Sequence, residues 1–474
     1  MTTHPDFCGL LIGRGVERVK GIEPSSLAWE ARALPLSYTR IRLDRKLGPT
    51  RGEIKRQSLR AYCAPIAHHE RHWHVSFMDA PKPKDSPVQS MDASLSIIKN
   101  LIAFPTISQN SNLDLIAYVR ELLAEHGITA QLFANEDGTK ANMLASIGPD
   151  DRPGILLSGH SDVVPVAGQN WSSDPFAAEM RDGRLYGRGA CDMKGFIGLV
   201  LALLPRLARA DLAMPVHIAL SYDEEVGCAG VRSLVDHLAH LPIKPRFALI
   251  GEPTDMKLVT AHKGICVERT TIIGRAAHSS LPDEGANALF AAGAFLSYLD
   301  ALAQELRAHE DARFEPPFTS INAGRMTGGA AVNIIADRAV IDWEFRPLPG
   351  IDPDQILDRV KSHAQKIILP RLQATAPEAE ISFEQIARAP SLEADGSEDA
   401  EKLMRRLIGA NESHAVSFTT EAGLFQKVSG IPAIVIGPGS IEQAHKPDEF
   451  VSLDQLQRAR SMLEALIDYA EARA

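Results

Sequence analysis

From Met91 onward, apolar residues recur with two periods. Leu115, Ile116, Val119, Leu122 and Leu123 form an i, i+3/i+4 stripe, and Gly127 follows as a stop signal. Together they predict a helix over 112–126, and a shorter one is expected over 92–100. Short apolar runs then alternate with helical stretches. Strands are predicted at 128–133, 142–147, 155–158, 216–222 and 247–250, with helices at 195–209 and 230–238. Alternation of this kind implies an α/β sheet whose working edge lies at the carboxyl ends of its strands.

The pattern changes near Gly264. An alternating, β-branched strand at 266–273 is followed by a long helix at 287–307. Strands at 320–326 and 339–345, a helix at 354–369 and a strand at 379–385 complete a β-α-β-β-α-β unit. The α/β pattern then resumes, with a helix at 399–409, a helix start near Ala422, a buried strand at 433–436 and a terminal helix at 453–471. The fold class expected is α/β: a discontinuous domain (91–264 and 389–474) with a mixed, mainly parallel sheet, interrupted by a small α+β domain (265–388). A cleft between two such domains is a common place for a ligand.

Composition narrows the function. The chain has 474 residues and a formal net charge of −10. That balance argues against nucleic acid as a partner, because phosphate binding needs a basic face. Five cysteines without a CxxC pair make no disulfide framework and suit a reducing compartment, the cytoplasm. No apolar run approaches the ~18 residues of a membrane span. Residues 1–77 differ from the rest, with 13 Lys/Arg against 7 Asp/Glu and no sustained period. The words Gly21–Trp29 and Ala33–Arg40 resemble a recurrent spurious translation of over-extended bacterial gene models. Residues 1–90 are therefore expected to be an N-terminal extension, either a start-site artefact with the natural start at Met78 or Met91, or a basic disordered tail.

The chemistry gathers where apolar strands end. Ser158-Gly159-His160-Ser161-Asp162 follows one strand, Ser221-Tyr222-Asp223-Glu224-Glu225 another, and Ile250-Gly251-Glu252-Pro253-Thr254 a third. Asp192 precedes a glycine-led helix, and His445 lies in a late loop after Gly437-Pro438-Gly439-Ser440. Each stretch has a plain alternative: a surface polar pair, a helix cap at Asp192, a solvated acidic turn, a loop acid, an exposed histidine. Their repetition at strand ends favours two histidines and several carboxylates converging on a pair of divalent ions of the zinc type.

These five spaced motifs resemble the M20 family of di-zinc peptidases and deacylases from about Met91 to the C-terminus. The resemblance implies two Zn2+ ions, with Co2+ as a possible substitute. It makes His160 and Glu252 ligands of one metal, Glu225 and His445 ligands of the other, and Asp192 the bridge between them. It makes Asp162 the acid that orients His160, Glu224 the general base and later acid, and the Asp192–Met193 peptide cis. The resemblance makes 91–264 with 389–474 the catalytic domain and 265–388 a lid, and His278, in Gly274–Pro282, an oxyanion donor reaching the neighbouring subunit of a homodimer built through that lid. Asn333 and Arg346 become substrate contacts, the guanidinium suiting an α-carboxylate.

Gly251–Lys257, Ala261–Gly264 and Phe418–Phe425 are similar to the acetylornithine deacetylase branch, although Thr419 stands where that branch often has Gly. Glu421 could then meet a distal ammonium, or serve simply as a helix N-terminal acid. The expected partner is a small-molecule N-acyl amino acid, most specifically N2-acetyl-L-ornithine. Succinyl-diaminopimelate or a dipeptide is the rival within the family, and a non-catalytic binding protein on the same scaffold is the rival from another class.

Overall fold

The computed structural model describes residues 91–472, so the expectation for 1–90 lies outside the described residues. Among the described residues fifteen strands follow in chain order. They are β1 (Ala130–Ala134), β2 (Ala141–Ile147), β3 (Ile155–His160), β4 (Glu179–Arg181), β5 (Arg184–Tyr186), β6 (Val216–Ser221), β7 (Phe247–Ile250) and β8 (Val259–His262). Then come β9 (Ile265–Ile273), β10 (Ser320–Gly328), β11 (Arg338–Arg346), β12 (Glu380–Ala389), β13 (His414–Val416), β14 (Ala433–Val435) and β15 (Phe450–Ser452).

The main sheet has eight strands in the order β1-β2-β6-β3-β7-β14-β8-β13. Its centre, β6-β3-β7-β14, is parallel. β3, β7 and β14 are buried along their whole length, which is why β7 and β14 read as unbroken apolar runs and β3 opens on one, Ile155–Leu157. Helices Met91–Ile102, Lys194–Ala202 and Leu453–Glu471 cover one face, with Ile98, Phe196, Leu199, Leu456 and Leu463 in its core. Helix Arg232–Ala239 and the turn Ala422–Ser429 cover the other, around Leu156, Ala219, Val235, Ala248 and Phe425. Burial of each such apolar side chain contributes about 1.5–3 kcal/mol.

A separate four-stranded antiparallel sheet, β10-β11-β9-β12, interrupts the main one in sequence. Residues alternate between buried and half-buried along β9 and β11, as their period-2 pattern predicts. The buried face packs on helix Ala288–Leu306, where Phe295 meets Trp343 edge-on at 6.1 Å. Trp343 Nε1 donates to Thr270 Oγ1 at 3.0 Å, so the indole is buried without an orphaned donor. Asn287 caps that helix by accepting from the Leu289 and Phe290 amides.

Some elements differ from expectation. Helix 195–209 breaks at Leu203, where Pro205 cannot continue the hydrogen-bond ladder. The helix expected at 354–369 runs as Pro353–His363, a π turn over Ala364–Ile368 and a last helical piece, Leu369–Gln373, that contains Pro370. β12 continues past Gln385 to Ala389 through a register shift. Strands β8 and β13 and the small sheet β15-β5-β4 join pieces distant in sequence and too short to show a period.

Candidate metal centre

Four strand ends and one turn carry the site. His160 is the last residue of β3, Glu224 and Glu225 follow β6, Glu252 follows β7, and His445 lies in the loop after β14. Asp192 precedes helix Lys194–Ala202 and its peptide to Met193 is cis. Gly251 must lack a side chain, since a Cβ there would lie 2.0 Å from the Phe196 ring. Gly437 likewise lets the 437–440 loop press against Gly251, where a Cβ would stand 2.1 Å from its carbonyl oxygen.

The side chains converge. His160 Nε2 lies 2.9 Å from Asp192 Oδ1 and 3.7 Å from Glu252 Oε1. His445 Nε2 lies 2.9 Å from Glu225 Oε2 and 3.4 Å from Asp192 Oδ2. Asp192 thus faces a histidine on each side. One potential ligand atom each from His160, Asp192 and Glu225 fall within 4.8 Å of one another, and so do those of His160, Glu224 and Glu252.

Asp162 reaches His160 through its backbone rather than through the carboxylate that was expected. The His160 Nδ1–H donates to the Asp162 carbonyl oxygen at 3.0 Å, while the Asp162 carboxylate stands 3.6 Å away. That carboxylate accepts instead from Ser108 Oγ at 2.7 Å and from the backbone amides of Glu224 and Glu225 at 3.1 and 3.3 Å. One residue therefore orients His160 through its backbone and fixes the two glutamates through its side chain.

The electrostatics are those of crowded buried acids. Burial pushes Glu224, Glu225 and Glu252 above the usual carboxylate range, and neighbouring carboxylates push further. Glu225 reaches about 7. Burial opposes charge on His160 and on Asp192 as well. On His160 the nearby Asp162 and Asp192 carboxylates outweigh it and raise the pKa, and on Asp192 the hydrogen bonds from His160 and His445 outweigh it and lower the pKa. His445 is pushed up to about 10 by its hydrogen bonds to Asp192 and Glu225. A site that holds this many carboxylates with only imidazoles to balance them suits divalent cations with nitrogen and oxygen ligands.

Two residues that sequence reasoning missed hold the Asp192 turn. The Glu449 carboxylate accepts from the amides of Gly189, Cys191 and Asp192 at 3.1, 2.8 and 3.0 Å and from Arg188 Nη1 at 2.6 Å. Arg188 and Glu449 are both buried. Glu449 follows Lys446-Pro447-Asp448, a charged loop word with no mark of burial.

His278, Asn333 and Arg346 lie elsewhere, whereas Glu421 is near enough to Glu224 for its charge to act on it. His278 is exposed on the four-stranded unit, forms a β-bridge with Ile334 and hydrogen-bonds Ser280 Oγ at 2.7 Å. The Asn333 carbonyl oxygen accepts from the Ser279 amide at 3.0 Å, which places Asn333 beside His278. Arg346, at the end of β11, donates to Glu344 at 3.1 Å. Among the described residues no hydrogen bond or ion pair joins these three to the metal centre. Glu421 is 1% exposed, and neither of its carboxylate oxygens has a hydrogen-bond partner among the described residues. Burial pushes its pKa up to about 7.

The profile of peptidase family M20/M25/M40 matches residues 156–469. The chain belongs to that family. It is a metal-dependent amide hydrolase. It is 37% identical over 384 residues to an acetylornithine deacetylase of Myxococcus xanthus, covering 79% of this chain and 96% of the relative. It is 34% identical over 389 residues to one of Pasteurella multocida, covering 80% and 98%. Among solved structures, an M20 family metallo-carboxypeptidase from Sulfolobus solfataricus matches with a TM-score of 0.64 at 19% identity, covering 80% of this chain and 100% of the other. A dinuclear metal-binding peptidase of the M20 family from Bacillus subtilis matches with a TM-score of 0.54 at 16% identity, covering 79% and 98%. The M20 chain was thus recognisable from five short words, three of them at strand ends, and these structures share its fold.

Proposed function

We propose that this M20 chain hydrolyses N2-acetyl-L-ornithine to L-ornithine and acetate, a step of arginine biosynthesis, as a cytoplasmic homodimer with two Zn2+ ions. The observation that carries the reading is Asp192 placed between His160 and His445, with Glu225 and Glu252 flanking. The substrate is inferred from the acetylornithine deacetylases to which the chain is similar along most of its length.

In this reading His160 and Glu252 hold one ion, Glu225 and His445 the other, and Asp192 both. When bound, the ions polarise the amide carbonyl and lower the pKa of the attacking water. Glu224 takes the proton from that water and passes it to the departing amine nitrogen. Asp162 keeps Glu224 and Glu225 in place through their amides. Residues 91–264 with 389–474 form the catalytic domain, and 265–388 the lid. Asn333 and Arg346 contact the substrate, Arg346 through its α-carboxylate, and Glu421 offers a buried negative charge for the distal ammonium.

The lid supports the dimer. Phe290 and Val332 are exposed beside a groove of about 530 Å³, and β10 is an open, mostly exposed edge strand. His278 lies next to this face and is available to a partner subunit's centre.

The test is turnover by zinc-loaded protein on acetylornithine, succinyl-diaminopimelate and a dipeptide. Acetylornithine should be preferred, and Glu224→Gln should lower its kcat by about 10²–10⁴ with metal content retained. A preference for succinyl-diaminopimelate would reassign the substrate, and an unchanged Glu224→Gln variant would remove Glu224 as the base.

A further inference from the structure

A general base works only if its carboxylate is held in one orientation, and the fold provides one side-chain donor for that purpose. The chain after β6 closes a single helix-like turn: the amides of Gly227 and Cys228 both donate to the Glu224 carbonyl oxygen, at 3.0 and 2.8 Å. Positions four apart in such a turn share a face. Cys228 therefore lies over Glu224, with Sγ 3.3 Å from Oε1, within hydrogen-bond reach for sulfur. Among the described residues this is the sole side-chain hydrogen bond to the Glu224 carboxylate. An ionised carboxylate only accepts, so the thiol is the donor.

The turn is built to keep Cys228 there. Cys228 has φ +54°, a left-handed conformation that non-glycine residues rarely adopt, and it is 2% exposed. On either side the turn is pinned by close packing. A Cβ at Gly227 would lie 2.3 Å from that of Ala387 on β12, and one at Gly230 would lie 2.0 Å from the Tyr222 carbonyl oxygen. Arg232 Nη2 adds a hydrogen bond to the Arg388 carbonyl oxygen at 2.6 Å. A cysteine held in a costly backbone conformation, with its sulfur on the reacting side chain, serves orientation as well as packing.

We propose that Cys228 is a positioning residue for the reaction: its Sγ–H donates to Glu224 Oε1 and fixes the carboxylate that moves the proton. The inference rests on the reading of Glu224 as the base. The experiment compares zinc-loaded wild type with Cys228→Ala, Cys228→Gly and Cys228→Ser, and with Glu224→Gln, on acetylornithine. Alanine and glycine remove the donor, glycine without backbone strain at positive φ, and serine retains it. Ala and Gly should lower kcat about tenfold with KM and bound metal unchanged, and Ser should restore most of the turnover.

A second readout needs no turnover. The S–H stretching band that disappears in Cys228→Ala should move to higher wavenumber in Glu224→Ala, where its acceptor is gone. Wild-type kcat in both Ala and Gly variants, a Ser variant as slow as Ala, or an S–H band indifferent to Glu224→Ala overturns the proposal. An active Glu224→Gln variant instead overturns the assignment of the base, which separates the two failures.

Discussion

Glu449 satisfies three backbone donors and one guanidinium with a single buried carboxylate, and the turn it holds is the one that presents Asp192. Removing one partner of a buried ion pair leaves the other charge without compensation, which typically costs about 3–5 kcal/mol. Glu449→Leu should therefore lower stability by about that amount, and Arg188→Leu in the same chain should recover part of it, as urea denaturation of the two variants would measure. Equal losses in the single and double variants would mean that Arg188 is satisfied elsewhere. Its guanidinium also reaches Gln169 Oε1 at 2.6 Å, so the recovery should be partial. At this scale four of the proposed ligands, His160, Asp192, Glu225 and Glu252, were legible because each sits within a few residues of an apolar strand or a glycine-led helix, which marks it in one dimension, whereas His445, in a late loop, was marked only by the resemblance. Glu449 was not, because its partners are about 260 positions away. Cys228 was not either: a thiol beside a carboxylate is visible only once the turn has closed.

Strand β6 carries a second consequence of burial, away from the metal centre. His217 is its second residue, half-buried and with Nδ1 2.8 Å from Ser146 Oγ on neighbouring β2, and desolvation pushes its pKa down to about 4. In the unfolded chain the same imidazole titrates near 6.5. Between those values the unfolded state binds the proton and the folded state does not, so the stability contributed by neutral His217 is full above pH 6.5 and lost as pH falls toward 4. The loss is on the order of 2–3 kcal/mol over the window. Replacing it with asparagine, as His217→Asn, removes the titration, so the stability gap between wild type and variant should narrow from pH 7 to pH 5 in urea melts. A gap independent of pH would show that His217 is solvated in the fold. The strands that anchor the site, β3, β6 and β7, were legible as apolar runs, and β9 and β11 as alternation. β8 and β13 were not, because four and three residues are too few to show a period. The pairing of β15 with β5 could not be read either, since it depends on a chain reversal that local pattern does not encode.

At the scale of the whole molecule, one chain gathers the residues proposed as metal ligands and base but leaves His278 and Asn333 exposed on the four-stranded unit. Sequence resemblance assigned His278 to the reaction, and the geometry of a single chain does not bring it to the centre. Both statements hold if the histidine serves the partner's site across a twofold interface formed by the lid, where one surface contacts its own copy. The arrangement makes an unusual demand on mixtures. Homodimers of His278→Ala should be slow because no subunit supplies the donor, and homodimers of Glu224→Gln because no subunit has the base. In a heterodimer of the two, the His278→Ala subunit keeps Glu224 and receives His278 from its partner, so one of its two sites is whole. Co-expressed in equal amounts, the variants should assemble at random and recover about one quarter of wild-type turnover. The mixture should also sediment as a dimer. If His278 served its own chain, every site in every dimer would lack one group, and mixing would restore nothing. Recovery on mixing, read together with metal content unchanged in both parents, would place the donor on one subunit and the proton carrier on the other. A disrupted lid interface, made by Phe290→Glu at the exposed face, should then abolish recovery and wild-type activity together while the metal centre, built from one chain alone, still fills.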